Sequence, residues 1–218
     1  MNDGPKIGIY GASGRLGQLI IKTAIAENQP IHVVDRELNL ANCDVIIDVT
    51  SPEGTAALLE AATKSPQKPA IVIGTTGELP TKAINDYAES AAVAVVSNFS
   101  IGIPLLLDLV QRAVELLPDG WDIEVIEAHH NKKVDAPSGT AKRITRAIEE
   151  CHGSSDLGSV PVHSLRVGDT FGEHTVWLSG PGERIELKHV ATRREVFAIG
   201  AIRWARWLLT QPTGCLRP

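Results

Sequence analysis

Five short apolar runs in the N-terminal part of the chain constrain its fold more than any other feature. Each is four to seven residues long and leads into a segment rich in glycine or small polar residues. The runs are Lys6–Tyr10, Pro30–Val34, Cys43–Val49, Pro69–Ile73 and Val93–Val96. Continuous apolar runs of this length are typical of strands buried on both faces. Because helical patterns follow most of them, we predict a doubly wound parallel sheet.

The first run leads into a glycine loop, GASGRLG, from Gly11 to Gly17. A strand, a glycine turn, a helix, a second strand and then an acid form the usual context of a dinucleotide site. Gly14 would let the backbone approach a pyrophosphate, and Gly17 would let the helix pack closely on the strand. Ala12 stands where the commoner GxGxxG form has its first glycine. The alternative is a tight turn with a purely structural role.

The choice of nicotinamide cofactor stays open. Asp35 follows the second strand and could accept hydrogen bonds from a ribose 2′-hydroxyl, which favours NADH. Arg36 is its neighbour and could pair with a 2′-phosphate, which favours NADPH. Both could also be solvated turn charges. The remaining strand ends carry the segments DVTSP, GTTG and SNFS, and we expect them to line a cofactor cleft at the carboxyl edge of the sheet.

The pattern changes after Ser100. Predicted helices over 101–117 and 140–151 enclose a strand over 121–128, and three further strand candidates follow at 162–167, 174–179 and 184–189. The turn Gly180-Pro-Gly182 predicts an antiparallel hairpin between the last two strands. We therefore predict a dinucleotide-binding domain over residues 1–100 and a smaller α+β domain with a mixed sheet over 101–192. A helix within 193–218 should pack back on the first domain, and the tail after Thr210 should be irregular.

The segment EAHHNKKVDAPSGTA, from Glu127 to Ala141, concentrates the polar chemistry of the chain. His129 and His130 would point to opposite sides of a continuing strand, so one could donate a proton while the other binds or orients. Lys133 offers a cation for a carboxylate, or an acid if its pKa is lowered. Ser138, Gly139 and Thr140 would offer hydroxyl and N–H groups at a helix start. These features predict an anion site.

Simpler interpretations of the same segment exist. Asp135 could pair with a lysine, and Pro137-Ser138 could be only a helix cap. Paired histidines are also common metal ligands, but the sequence places no Cys, Glu or third His at the usual ligand spacing. We therefore predict no metal site.

Composition narrows the class of protein. The formal net charge of −5 gives no basic field, so nucleic acid is not an expected partner. Three widely spaced cysteines fit a reducing compartment rather than a disulfide framework. We see no signal peptide and no apolar run long enough to span a membrane, so we expect a cytoplasmic soluble protein.

Several segments resemble the dihydrodipicolinate reductase family, also called 4-hydroxy-tetrahydrodipicolinate reductases, of lysine biosynthesis. They occur in the family's order along nearly the whole chain. They are GASGRLG, GTTG, SNFSIG, EAHHNKKVDAPSGTA, RVGDTFGEHTV and ELKHVATRREVFAIGAIRWARWL. The E-x-H-H-x-x-K-x-D-A-P-S-G-T-A pattern is far more specific than the glycine loop. The resemblance implies reduction of a cyclic dicarboxylate by NADPH or NADH in diaminopimelate and lysine biosynthesis, on a Rossmann-like domain joined to a domain for substrate binding and oligomerisation.

The resemblance also implies roles for individual residues and a homotetrameric assembly. His129 would be the proton donor and acceptor, with Lys133 a proton donor. His130, Gly139 and Thr140 would bind the substrate carboxylates. The implied cofactor contacts are Gly11, Ala12, Ser13, Gly14, Arg15, Leu16, Asp35, Arg36, Gly74, Thr75, Thr76, Val96, Ser97, Asn98 and Phe99.

Four departures from the family pattern and two rival functions accompany this prediction. Leu16 stands where the family often has Met, and Val49 where it often has Phe. The segments after Arg36 and after Cys151 are shorter than in many relatives, and the first could change cofactor preference.

An L-aspartate dehydrogenase would explain the N-terminal domain but not the His-His-Lys cluster. A non-catalytic NAD(P) sensor would have no need of the acid and carboxylate-binding residues that this chain retains.

Overall fold

A computed structural model describes residues 4–152 and 159–216. Two compact units make up the chain: Met1–Phe99 together with Glu195–Pro218, and Ser100–Arg194. The strands are β1 (Ile7–Tyr10), β2 (Ile31–Val34), β3 (Val45–Asp48), β4 (Ala70–Ile73), β5 (Ala92–Val95), β6 (Asp122–His129), β7 (Val162–Arg166), β8 (Glu173–Gly180), β9 (Glu183–Val190) and β10 (Gly214–Leu216). The helices are α1 (Arg15–Ala26), α2 (Pro52–Lys64), α3 (Thr81–Ala88), α4 (Gly102–Glu115), α5 (Gly139–His152) and α6 (Glu195–Leu208).

The first unit contains a six-stranded sheet in the order β10-β5-β4-β3-β1-β2, and every pairing in it is parallel. This confirms the predicted doubly wound sheet. The strand order reverses beside β1, because β2 pairs on one side of it and β3 on the other. A reversal of this kind opens a crevice at the carboxyl ends of the two central strands, where open α/β sheets bind their ligands.

Helices cover both faces of this sheet. On one face, α1 and α6 pack on alternate residues of the central strands, with Ile20, Ala201 and Leu208 fully buried. On the other face, α2 and α3 pack on the intervening residues through Leu58, Leu59 and Ile84. Strands buried on both sides are apolar at most positions, here with the exception of Asp48 at the end of β3, which explains why continuous apolar runs predicted them.

The tail corrects one prediction. We expected residues after Thr210 to be irregular, but Gly214–Leu216 forms β10 and pairs in parallel with Ala92–Ala94 of β5. Leu216 packs against one core of the unit and Cys215 against the other. A three-residue strand has no detectable periodicity, so only its pairing with β5 in the folded chain reveals it.

The second unit contains a four-stranded sheet in the order β7-β6-β8-β9. The β6–β7 pair is parallel and the other two pairs are antiparallel, which confirms the mixed sheet. The predicted hairpin closes between Gly180 and Glu183, with φ of +83° at Gly182, a conformation that glycine adopts without strain. Helices α4 and α5 pack on one face of the sheet through Ile103, Val110 and Ile144. The loop predicted after Cys151 lies largely outside the described residues.

Candidate active site

The predicted cofactor segments meet at one edge of the first sheet. Gly11 lies so close to the end of β3 that a Cβ atom there would stand 2.6 Å from the carbonyl oxygen of Val49. The backbone N–H of Thr50 donates to Oγ1 of Thr75 at 3.1 Å, which joins DVTSP to GTTG. A Cβ on Gly74 would stand 2.3 Å from the ring of Phe99, so GTTG also packs on SNFS. All four strand-end segments therefore form one continuous rim.

The glycine loop presents the N-terminus of α1 at this rim. Gly14 precedes the helix with φ of −74° and ψ of 162°, and it has no side chain to cap the first turn. The N–H groups of the first turn, beginning at Arg15, have no intrahelical partner, and this arrangement suits a phosphate. A Cβ on Gly17 would lie 2.2 Å from the carbonyl oxygen of Gly11. Gly17 therefore serves the close packing of helix and loop, and the cradle fits a dinucleotide pyrophosphate.

A buried carboxylate that sequence analysis did not assign supports the rim from below. Asp48 is 0% exposed at the end of β3. Its Oδ1 accepts from the N–H of Thr50 at 3.1 Å and from the hydroxyl at 2.6 Å, and its Oδ2 accepts from Thr55 Oγ1 at 2.5 Å. Burial raises the pKa of Asp48, and these hydrogen bonds oppose the rise. Its position as the first residue of the DVTSP segment, at the end of a buried strand, was the available sequence signal.

Asp35 and Arg36 lie beyond β2, at the same edge of the sheet, and both are exposed. One carboxylate oxygen of Asp35 accepts from the backbone N–H of Glu37 at 3.0 Å. This bond orients the side chain without deciding between a ribose hydroxyl and a 2′-phosphate. The geometry therefore leaves the choice between NADH and NADPH as open as the sequence did.

In the second unit, His129 ends β6 on the buried side of the sheet and is 8% exposed. Its Nδ1 makes a hydrogen bond with Oε2 of Glu127, two residues earlier on the same face of the strand. Oε1 of Glu127, which is 0% exposed, accepts from Nη2 of Arg166 at 2.9 Å. Glu127 was not among the predicted site residues, although its spacing of two residues from His129 was a signal for it.

The electrostatics of this pair follow from burial and from its neighbours. Burial raises the pKa of Glu127, but hydrogen bonds from groups that include Arg166 and His129 outweigh it, and the net shift is downward. The net shift in the pKa of His129 is downward, and burial is its main cause. The contact with Glu127 raises this pKa, whereas the charges of Lys133 and Arg166 lower it further. Glu127 is therefore ionised at neutral pH, and a protonated His129 gives up its proton more readily than an ordinary histidine.

His174 completes this cluster and was absent from the predicted site. It is 1% exposed on β8, and its ring meets that of His129 edge to face with 5.2 Å between centroids. Burial is the main cause that lowers its pKa to about 3, so it is neutral. Its Nε2 lies 3.3 Å from Oγ of Ser138. The two histidines are far apart in the chain, so only sheet pairing brings them together.

Glu127, His129 and His174 together have the composition of a metal site, since their ligand atoms lie within 4.8 Å of one another. The spacing of residues in the sequence does not predict this group, because His174 reaches the other two residues only through the pairing of β6 with β8. The carboxylate, however, already binds the guanidinium of Arg166, and the charge of Lys133 acts on the same imidazole. A cationic surrounding of this kind disfavours a divalent ion at this cluster.

The turn after His129 holds the other predicted residues. Lys133 Nζ forms an ion pair with Oδ1 of Asp135 at 2.7 Å, as one of the simpler interpretations had it. Arg166 donates to the carbonyl oxygens of Lys133 and Asp135 at 3.3 and 2.5 Å, which ties the turn to β7. His130 is half-buried, and its Nδ1 has no hydrogen-bond partner among the described residues.

Ser138, Gly139 and Thr140 form the start of α5. Oγ of Ser138 accepts from the N–H of Ala141 at 3.2 Å, so this serine is a helix cap, as the simpler interpretation also had it. Apart from its chain neighbours and the nearby backbone of α5, no atom of the described residues lies within 4 Å of the position that a Cβ would take at Gly139. Thr140 is 5% exposed. The helix start thus has open space in front of it at Gly139, where an anion could approach the N–H groups.

Comparison with known proteins identifies related chains. Family models described as dihydrodipicolinate reductase match residues 30–99 with the N-terminal domain and 102–217 with the C-terminal domain. A 4-hydroxy-tetrahydrodipicolinate reductase of Cupriavidus metallidurans is 37% identical, over 96% of this chain and 96% of the relative. One from Xanthomonas euvesicatoria is 41% identical, over 97% of this chain and 95% of the relative.

Solved structures show the same fold. A dipicolinate-bound dihydrodipicolinate reductase from Paenisporosarcina sp. TG-14 superposes with a TM-score of 0.75 at 22% identity, covering 98% of this chain and 97% of that one. An amine dehydrogenase from Mycobacterium smegmatis reaches 0.57 at 8% identity, covering 99% and 95% of the two chains. None of the helices in the described part of the chain is long and apolar enough to cross a bilayer.

Proposed function

This chain belongs to the dihydrodipicolinate reductase family, and we infer that it reduces 4-hydroxy-tetrahydrodipicolinate to tetrahydrodipicolinate with NADPH or NADH, in diaminopimelate and lysine biosynthesis. The observation that carries this inference is the 37% and 41% identity to reductases of that name over nearly the full length of both chains. The buried Glu127–His129 pair gives the second unit an acid suited to this reaction.

We propose that the rim of the first unit binds the dinucleotide, which supplies the hydride. The N–H groups at the start of α1, in the loop from Gly11 to Leu16, would hold its pyrophosphate. Asp35 and Arg36 would meet the adenosine ribose, since they follow the neighbouring strand β2. The remaining proposed contacts lie in the two joined segments Gly74–Thr76 and Val96–Phe99.

Hydride addition to an electron-poor carbon conjugated to an imine leaves an enamine that must take up a proton. We propose His129 as the donor of that proton, with Lys133 as a second donor. The contact with Glu127 and the lowered pKa of His129 support this role. His130, Gly139 and Thr140 would bind the carboxylates of the cyclic substrate, supported by the open space at Gly139 and the start of α5. The relative from Paenisporosarcina binds dipicolinate, which is also a cyclic dicarboxylate.

We further propose a cytoplasmic homotetramer assembled through the second unit's sheet. Only one face of that sheet packs on α4 and α5, through residues such as Val125 and Val176. The opposite face carries Ile126 and Trp177, both partly exposed, and Leu165, which is 48% exposed. Apolar side chains left partly exposed on a sheet face are candidates for burial between subunits. Light scattering on the purified protein would give four times the chain mass if the proposal holds, and one times the chain mass would contradict it.

A coupled assay tests the reaction itself. Purified protein is mixed with NADPH and freshly generated 4-hydroxy-tetrahydrodipicolinate, and loss of reduced-nicotinamide absorbance is followed. Oxidation that depends on this substrate supports the reductase. Oxidation only with oxaloacetate and ammonia would instead indicate an L-aspartate dehydrogenase, and binding of NADPH without turnover of either would indicate a sensor. Repeating the assay with NADH gives the ratio of kcat/KM values that Asp35 and Arg36 leave open.

A further inference from the structure

We propose that Glu127 is the positioning residue of the active site: it holds His129 as the Nδ1–H tautomer and leaves Nε2 as the nitrogen that passes the proton. The inference rests on the proposed role of His129 in catalysis. It adds which nitrogen of His129 reacts, and it gives positioning roles to Glu127 and Arg166, which were not predicted site residues.

The hydrogen bond between Glu127 and His129 has only one possible direction. Glu127 is fully buried, and its carboxylate meets both Arg166 and His129. An ionised carboxylate can only accept hydrogen bonds, so Nδ1 of His129 must be the donor. The neutral imidazole then has its lone pair on Nε2, which takes up a proton and can release it again.

Arg166 anchors Glu127 itself. Its other oxygen, Oε1, is bound by Arg166 at 2.9 Å, and Arg166 stands opposite His129 in the β6–β7 register. The same guanidinium also holds the carbonyl oxygens of the turn at Lys133 and Asp135. With both carboxylate oxygens occupied, Glu127 has little freedom to turn away from His129. Because Glu127 on β6 is held by Arg166 on the paired strand β7, the pairing of these strands fixes the orientation of the His129 imidazole.

Nε2 of His129 lies beside a glycine, and charged groups surround the ring. This nitrogen faces Gly172, where a Cβ atom would stand only 3.2 Å away. Gly172 has φ of +153°, so both its conformation and the space beside Nε2 favour glycine. The charged groups around the ring are Glu127 on β6, Arg166 on β7 and Lys133 in the turn, while the neighbouring His174 on β8 stays neutral. Glu127 is the only anion among these neighbours, so it alone favours the protonated form of His129.

The test compares Glu127→Gln with a matched control on the same strand. Glu124 also pairs with a histidine, His163 on β7, at 2.9 Å, but both side chains of that pair are exposed. Nitrogen NMR of the imidazoles in the substrate-free protein reports tautomer and titration midpoint, and a pH profile of kcat reports the catalytic consequence. In Glu127→Gln we expect a mixture of tautomers at His129, a titration midpoint at lower pH, and kcat reduced about 10- to 100-fold with KM within about threefold. Glu124→Gln should match the wild type in all three.

A second variant keeps the proposal testable if Glu127→Gln fails to fold because Arg166 is left without its buried partner. Arg166→Gln removes a positive neighbour, so the titration midpoint of His129 should move to higher pH, opposite to the first variant. An unchanged His129 tautomer and midpoint in Glu127→Gln would overturn the proposal, and so would a full kcat despite altered tautomers. A fully active His129→Gln enzyme would overturn the catalytic role of His129 itself, whereas the NMR comparison tests the Glu127 contact without turnover.

Discussion

His174 on β8 stands directly opposite Glu127 on β6 in the second sheet, and both side chains are essentially inaccessible to solvent. Burial is the main cause that lowers the pKa of His174 to about 3 from 6.5. Above pH 6.5 the imidazole is neutral in the folded and the unfolded chain. Between those two values only the unfolded chain takes up the proton, so acid destabilises the fold.

From pH 7.5 to pH 5.5 this single group should remove about 1.4 kcal/mol of the free energy of unfolding. Urea denaturation at the two pH values measures the decrease in the free energy of unfolding, in the wild type and in His174→Gln. The decrease should be smaller in His174→Gln by the contribution of His174. The exposed His163→Gln serves as the control and should keep the wild-type loss. An equal acid loss in His174→Gln and the wild type would show that His174 is not buried as a neutral group.

Replacing His129 with glutamine removes the proposed proton donor but keeps a side chain of similar reach. We expect kcat to fall about 10²- to 10⁴-fold, the usual range for general acid catalysis, with KM within about threefold. Steady-state kinetics with saturating NADPH measures both constants. A rise in KM with kcat preserved would instead assign His129 to substrate binding.

Replacing Lys133 with methionine removes a cation that is 23% exposed and pairs with Asp135. Loss of a charged hydrogen bond to a carboxylate costs about 1.5–3 kcal/mol, so KM for the substrate should rise about 10- to 100-fold. Because Lys133 is also a proposed proton donor, kcat should fall as well. Lys132→Met, at the exposed neighbouring position, is the control and should change neither constant more than about twofold. Equal kinetics of the two variants would exclude Lys133 from the site.

The two glycines of the loop should respond differently to alanine. At Gly17 the new methyl group would lie 2.2 Å from the carbonyl oxygen of Gly11, so Gly17→Ala should lower the thermal midpoint by several degrees or prevent folding. At Gly14 the nearest atom would be 3.3 Å away and the backbone dihedrals suit alanine. Gly14→Ala should therefore fold normally but bind NADPH about tenfold more weakly, because the methyl group stands where the phosphate approaches. Calorimetry measures the thermal midpoint, and fluorescence titration measures the affinity for NADPH. Normal NADPH affinity in Gly14→Ala would show that the phosphate does not bind next to Gly14.

Local sequence was sufficient for most secondary structure. Ser51 caps α2 by accepting from the N–H of Gly54 at 3.2 Å, with Pro52 in the first turn, so this helix start depends only on neighbouring residues. The hairpin turn at Pro181-Gly182 was equally predictable, because it depends on adjacent residues. Strand β10 was not, since Gly214–Leu216 is extended only through pairing with β5.

The sequence by itself determined the parallel sheet, the mixed sheet and the cluster from Glu127 to Ala141, because apolar periodicity and turn chemistry are local properties of the chain. Only the tertiary structure decided what surrounds His129. Strand pairing brings Arg166 from β7 and His174 from β8 to residues that lie far away in the sequence. Burial then gives these contacts their effect, since charge and hydrogen bonding shift a pKa strongly only where water is excluded.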